Sequence, residues 1–163
     1  MAVPVVLDTN IVVKFFIEEP DDKEQIKALL KATLQDQARP VVPDFLFVEF
    51  ANTVWLKLRS GDLTVPEAET ALADLVAWSN EADVIPFFED MMPVVHAARR
   101  YDHAVYDMAF LVLAEKQKAP FVTADRKLYL KIRGDYDKVF LLQSLSPERL
   151  QSEVLGGVPR AEI

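Results

Sequence analysis

No cysteine occurs in the 163 residues. That excludes disulfide scaffolds, thiolate-held metals and cysteine nucleophiles, and it fits a reducing compartment. Histidine is scarce: His96 and His103 are the only two. Neither lies in the acidic segments described below, so neither a histidine general base nor an imidazole-built zinc site is expected. No charge-free apolar run approaches the roughly 18 residues of a membrane span. The apolar start is interrupted by Asp8 and preceded by no basic residue, so a secretion signal is not expected either. The expectation is a cytoplasmic protein with no membrane contact. Positive charge is also in deficit, with 18 Lys and Arg against 26 Asp and Glu, a net charge of −8 and a pI near 4.8. That argues against holding nucleic acid through a broad positive field. A local basic patch or a basic protein partner is still compatible with it.

What is present is globular in character: 51% hydrophobic and 27% charged residues, enough chain for one continuous core. No repeat, low-complexity run or linker divides it. The expectation is a single domain over 1–163, compact from about 3 to 150, with a frayed C-terminal tail.

Short apolar runs alternate with helical patterns. Val3–Leu7, Val41–Val42, Val84–Phe87, Phe121–Thr123 and Val139–Leu142 read as strands. Between them lie helices at Ile11–Ile17, ended near Glu18-Glu19-Pro20, and from Asp21 or Asp22 to Gln37. Asp44 is placed to cap a helix to about Arg59, stopped by Ser60-Gly61. Thr64-Val65-Pro66-Glu67 is a capping box, opening a helix with Ala68, Ala71, Leu72, Leu75 and Val76 on one face. Further helices are expected from Asp90 or Pro93 to Tyr101, over Val105–Lys118, over Asp125–Arg133, and from Ser146 onward. This alternation predicts an α/β fold of three layers, α/β/α, around a central parallel sheet of about five strands.

Four acids stand at the borders of apolar segments: Asp8, Glu49, Asp107 and Asp125. Asp8 and Asp125 each follow a strand and precede a helix. If those strands are neighbours, the two meet at the carboxyl edge of the sheet, where parallel α/β sheets bind ligands. Glu49 and Asp107 lie early in their helices and are able to face the same edge. Two unit charges 4 Å apart repel by about 4 kcal/mol at an effective dielectric of 20. Protonation relieves that repulsion, and so does a divalent cation; all-oxygen donors suit Mg²⁺ or Mn²⁺. Each acid taken alone is more often a helix cap or a solvated side chain than a ligand.

The segments Val6-Leu7-Asp8-Thr9-Asn10, Pro43-Asp44-Phe45-Leu46-Phe47-Val48-Glu49-Phe50-Ala51-Asn52, Tyr106-Asp107-Met108-Ala109 and Phe121-Val122-Thr123-Ala124-Asp125-Arg126-Lys127-Leu128 resemble, in order and spacing, the PIN-domain nucleases, and within them toxin ribonucleases of the VapC type. One departure is Ala104, where many relatives have a small hydroxyl residue. The resemblance implies a metal site of Asp8, Glu49, Asp107 and Asp125 that holds one or two Mg²⁺ or Mn²⁺ ions. These would support hydrolysis of RNA phosphodiesters. It also implies a homodimer and a small antitoxin partner whose tail blocks the acids. Beside the resemblance, the residues themselves offer Asn10, Thr123 and Asn52 as partners behind the ligands. The basic run Arg126, Lys127, Lys131 and Arg133 just after Asp125 reads first as a solvated helix face, and with Lys14 its Arg126 and Lys127 are candidate phosphate contacts. The competing readings are a housekeeping RNA-processing PIN nuclease and an inactive metal-binding or interaction domain. A haloacid-dehalogenase-like phosphotransferase wants a second acid where Asn10 stands, and a receiver wants an early acid pair and a late Lys that are not evident here.

Overall fold

The computed structural model describes residues 1–17 and 21–156. The expected helix end at Glu18–Pro20 and the tail beyond Gly156 lie outside the described residues. In chain order come β1 (Val3–Leu7), α1 (Thr9–Phe16), α2 (Lys23–Leu34), β2 (Ala38–Pro43), α3 (Leu46–Ser60) and α4 (Val65–Trp78). Then follow β3 (Asp83–Ile85), α5 (Met91–Tyr101), α6 (Val105–Gln117), β4 (Phe121–Thr123), α7 (Arg126–Ile132), β5 (Val139–Leu141) and α8 (Pro147–Arg149), which continues as a π-helical turn over Leu150–Val154. The five strands form one parallel sheet in the order β3-β2-β1-β4-β5.

β1 is central, and Val5, Val6 and Leu7 are completely buried, as expected for a strand covered on both faces. The helix α6 packs across β1, β2 and β4, with α5 against its outer side. Met108 through Ala114 are all buried, so this helix is apolar around its whole circumference. α1 and α2 pack against each other and onto β4 and β2 respectively. The result is the expected three-layer arrangement.

Several local expectations are refined. β2 is six residues rather than two. β3 pairs only from Val41 to Pro43, so Ala38–Pro40 has a neighbour on one side alone and tolerates Pro40. Asp44 does not cap α3, whose first residue is Leu46. Its carboxylate instead accepts the Phe87 N–H at 3.2 Å, and its own N–H donates to the Ile85 carbonyl. This ties the ends of β2 and β3 together. The capping box is present: the Thr64 hydroxyl accepts from Glu67 N–H, and the Glu67 carboxylate accepts from Thr64 N–H. In α4 the buried stripe is Ala68, Ala71, Leu75 and Trp78. Its spacing of three and four residues turns Leu72 and Val76 out to solvent.

Phe110 stacks on Phe121, with centroids 6.2 Å apart, and both rings are buried. Phe121→Ala should therefore cost about 3–5 kcal/mol, whereas Thr64→Ala, which removes only an exposed cap, should cost about 1 kcal/mol. Urea unfolding at neutral pH measures both. Equal losses would show that the aromatic pair is not central to the core.

Candidate active site at the carboxyl edge of the sheet

The register of β1 against β4 builds the site. Val6 pairs with Phe121 and Leu7 with Val122, so Asp8 arrives beside Thr123. The Asp8 N–H continues the ladder to the Val122 carbonyl at 3.1 Å. The chain runs outward from β1 through β2 to β3 on one side and through β4 to β5 on the other. The crevice between β1 and β4 is therefore a topological switch point.

Asp8 is the buried acid of the set, 4% exposed. It precedes α1 but makes no side-chain cap. Its Oδ2 accepts instead from the Thr123 hydroxyl at 2.7 Å and from Asn10 Nδ2 at 3.2 Å. Thr123 Oγ1 in turn accepts from Asp125 N–H at 3.0 Å, and Asn10 Oδ1 from Ala124 N–H at 3.1 Å. These two small side chains tie the end of β1 to the end of β4 and orient the carboxylate. Burial pushes the Asp8 carboxyl up to about 7; the Thr123 hydrogen bond opposes this, and the charges of Asp107 and Glu49 push it further up.

Glu49 sits in the first turn of α3 and accepts from the Thr9 hydroxyl at 2.8 Å. Partial burial raises its pKa; the Thr9 bond opposes this, and Asp107 raises it further. Phe45, just before α3, contacts Phe87, Tyr106 and Phe110 edge-on at 5.4–5.9 Å. That cluster fixes the start of α3 against the start of α6, and so Glu49 relative to Asp107. Asp107 lies in the first turn of α6. Asp125 opens α7, where one oxygen accepts the Leu128 N–H as a true cap. Its cap and ligand readings are thus not exclusive, because a carboxylate has a second oxygen.

An open cleft of about 700 Å³ is lined by Asp8, Glu49, Asp107, Lys14, Asn52 and Tyr106, among others. Asp125 is not on that wall. It joins from the far side of Asp107, where donor atoms of Asp107, Asp125 and His103 all lie within 4.8 Å of one another. Arg126 and Lys127 are exposed and do not line the cleft. Lys131 of the same basic run is committed to the Asp102 carbonyl at 2.6 Å, and Arg133 lies over the Tyr129 ring. Lys14 is thus the phosphate-contact candidate that the cleft itself contains.

Sequence reasoning set aside two residues that the structure puts in the site. Thr9 follows Asp8 directly, but its bond to Glu49 spans 40 positions of chain. His103 lies outside the acidic segments, yet its Nε2 is 2.7 Å from Asp107 Oδ2. The available signal was its position four residues before Asp107, across a turn whose geometry the sequence does not specify.

Residues 5–133 match the family model described as PIN domain. The chain belongs to the PIN-domain family. It is 28% identical to Ribonuclease VapC3 of Pyrobaculum aerophilum over 123 residues, covering 76% of this chain and 90% of that protein. Its fold resembles the crystal structure of PAE2754, also from Pyrobaculum aerophilum, with a TM-score of 0.65 and 18% identity over 97% of this chain and 92% of that one. In this PIN domain, Asp107 raises the pKa of both Asp8 and Glu49 and Asp125 adjoins it, a donor set that a divalent cation fits. Among the described residues no helix is long and apolar enough to cross a membrane.

The Asp8 shift has a measurable consequence. Its folded-state pKa, about 7, lies above the ordinary 3.8, so the folded state holds a proton that the unfolded chain has released. The stability this gives is full below about pH 4 and is lost as pH rises through 7. In EDTA, Asp8→Asn should gain stability over wild type as pH rises from 5 to 8, up to a ceiling of roughly 3 kcal/mol. Thermal melts at the two pH values check this. An equal difference at both would show that Asp8 is not held protonated by burial.

Proposed function

We propose that this PIN domain is a metal-dependent endoribonuclease and the toxin half of a toxin–antitoxin pair. The observation that carries the reading is a buried carboxylate, Asp8, in the field of Glu49 and Asp107 at the wall of an open cleft. A folded chain sustains such crowding where a cation relieves it. The similarity to a protein named as a ribonuclease supports RNA as substrate.

Asp8, Asp107 and Asp125 are assigned as the principal ligands of one or two Mg²⁺ or Mn²⁺ ions. Bound there, such ions supply an activated water and neutralise the phosphate and the leaving oxygen. Glu49, held by Thr9, orients the attacking water or completes the ligand set. Thr123 and Asn10 fix the Asp8 carboxylate. Lys14 meets a substrate phosphate, and Asn52 contributes polar contacts one turn from Glu49. The protein acts in the cytoplasm.

A homodimer fits a strip of exposed apolar side chains, Phe88, Met91, Met92 and Val95, on α5 and the turn before it. Burying that strip removes apolar surface from water. A small antitoxin with a basic tail fits the cluster, since an Arg entering it replaces metal charge.

Purified protein should cleave RNA with Mn²⁺ or Mg²⁺ and lose all cleavage in EDTA. Asp8→Asn and Asp107→Asn should each lower the rate by more than about 100-fold, and Thr123→Val by about 10–100-fold, in keeping with loss of a ligand's orienting partner. Metal-independent cleavage by Asp8→Asn would sink the mechanism. In sedimentation velocity, Met92→Glu should shift the protein toward monomer. A monomeric wild type would remove the dimer from the reading.

A further inference from the structure

An imidazole stands in the acidic site, supplied by the turn between α5 and α6. The His103 side chain is only 10% exposed, with Nε2 2.7 Å from Asp107 Oδ2. One donor atom each from His103, Asp107 and Asp125 fits within 4.8 Å. An ion with bonds of about 2.0–2.2 Å spans roughly 4–4.4 Å between opposite donors. Small side-chain rotations therefore bring all three onto one ion.

The imidazole is held in place by the backbone. Asp102 closes α5 in the left-handed region, with φ of 47°, and the His103 N–H donates back to the Ala98 carbonyl at 3.1 Å. Lys131 of α7 clamps the Asp102 carbonyl. Tyr101 donates to Asp135 at 3.0 Å, and Arg100 pairs with the same carboxylate at 3.4 Å. Asp125 caps α7, so the helix that positions Asp125 also clamps the turn that carries His103. Both are set against Asp107 before any ligand arrives.

We propose that His103 is a nitrogen ligand of the metal centre on its Asp107–Asp125 side, and that it biases the centre toward borderline transition ions such as Co²⁺ over Mg²⁺, with Mn²⁺ gaining less. This rests on the metal-centre reading above. With Nε2 facing a carboxylate, the bond to Asp107 is made by an Nε2–H; ligation replaces that proton with the metal, and the ring keeps its N–H on Nδ1. Mg²⁺ demands near-ideal octahedral oxygen coordination and gives up water reluctantly. Imidazole suits borderline transition ions better than it suits the oxygen-preferring Mg²⁺ and Mn²⁺, and affinity for such a site rises from Mn²⁺ to Co²⁺.

The test uses the full chain loaded with Mn²⁺ and needs no RNA. Pulsed electron paramagnetic resonance should show coupling from one histidine nitrogen in wild type. With ¹⁵N-histidine labelling the coupling should change isotope accordingly. It should persist in His96→Gln and vanish in His103→Gln, which retains an N–H donor for Asp107 but no imidazole. By calorimetry, His103→Gln should reduce the Co²⁺-to-Mg²⁺ affinity ratio by about 10-fold or more. Mn²⁺ binding without nitrogen coupling would overturn His103 as a ligand while leaving the carboxylate centre standing. Coupling with an unchanged ratio would overturn the selectivity. A wild type that binds no Mn²⁺ would remove the metal centre and this proposal together. If His103→Gln does not fold, the labelled wild-type and His96→Gln spectra decide ligation, and Co²⁺ against Mg²⁺ competition on wild type decides selectivity: equal affinities would overturn the bias.

Discussion

One constraint governs the arrangement of the site: a carboxylate at the end of the central strand has been taken out of water. Asp8 cannot be solvated where it stands, so its surroundings must satisfy it. Thr123 and Asn10 do part of this through hydrogen bonds that also tie β1 to β4. The rest of the environment works against the ion, because Glu49 and Asp107 add negative charge nearby. The local geometry is thus better suited to function than to stability, and the surrounding core supplies the stability. Fully buried β1, the all-apolar α6 and the Phe110–Phe121 stack make a scaffold stiff enough to hold crowded charges.

Each acid is delivered by a different structural device. Strand register sets Asp8. A helix start braced by Phe45 sets Glu49. The first turn of a buried helix sets Asp107, and a capping position sets Asp125. None of the four depends on a long flexible loop. Connections of one to three residues and helix first turns leave few degrees of freedom, which keeps the donors close to a fixed constellation.

The fold was legible because its signals were local and redundant. Apolar runs such as Val5-Val6-Leu7 and Phe121-Val122-Thr123 have no alternative in a chain this size, and the Thr64–Glu67 box announces its helix outright. The β1–β4 adjacency followed from the placement of Asp8 and Asp125 together with the family resemblance. What escaped was decided by long-range contacts. Asp44 looks like a cap but bonds across to Phe87, forty-three positions away. Leu72 and Val76 share a helical face with buried residues, but neighbouring helices cover only the adjacent stripe. The basic run after Asp125 was open to two readings, a solvated helix face or a rim for phosphates. Lys131 and Arg133 are instead spent on the Asp102 carbonyl and the Tyr129 ring, which no periodicity reveals. His103 was invisible for the same reason, since a turn in the left-handed conformation aims its side chain.

The sheet is unevenly laced. β1 is paired to β2 over four residues but to β4 over only two, Val6 with Phe121 and Leu7 with Val122. The line between those two strands is the thinnest join in the backbone, and Asp8 and Asp125 stand on opposite banks of it. Whatever grips both banks at once acts as a rivet through the weakest joint of the sheet. Occupancy there would stiffen the two halves of the molecule against parting, and slow amide exchange along β4 most of all.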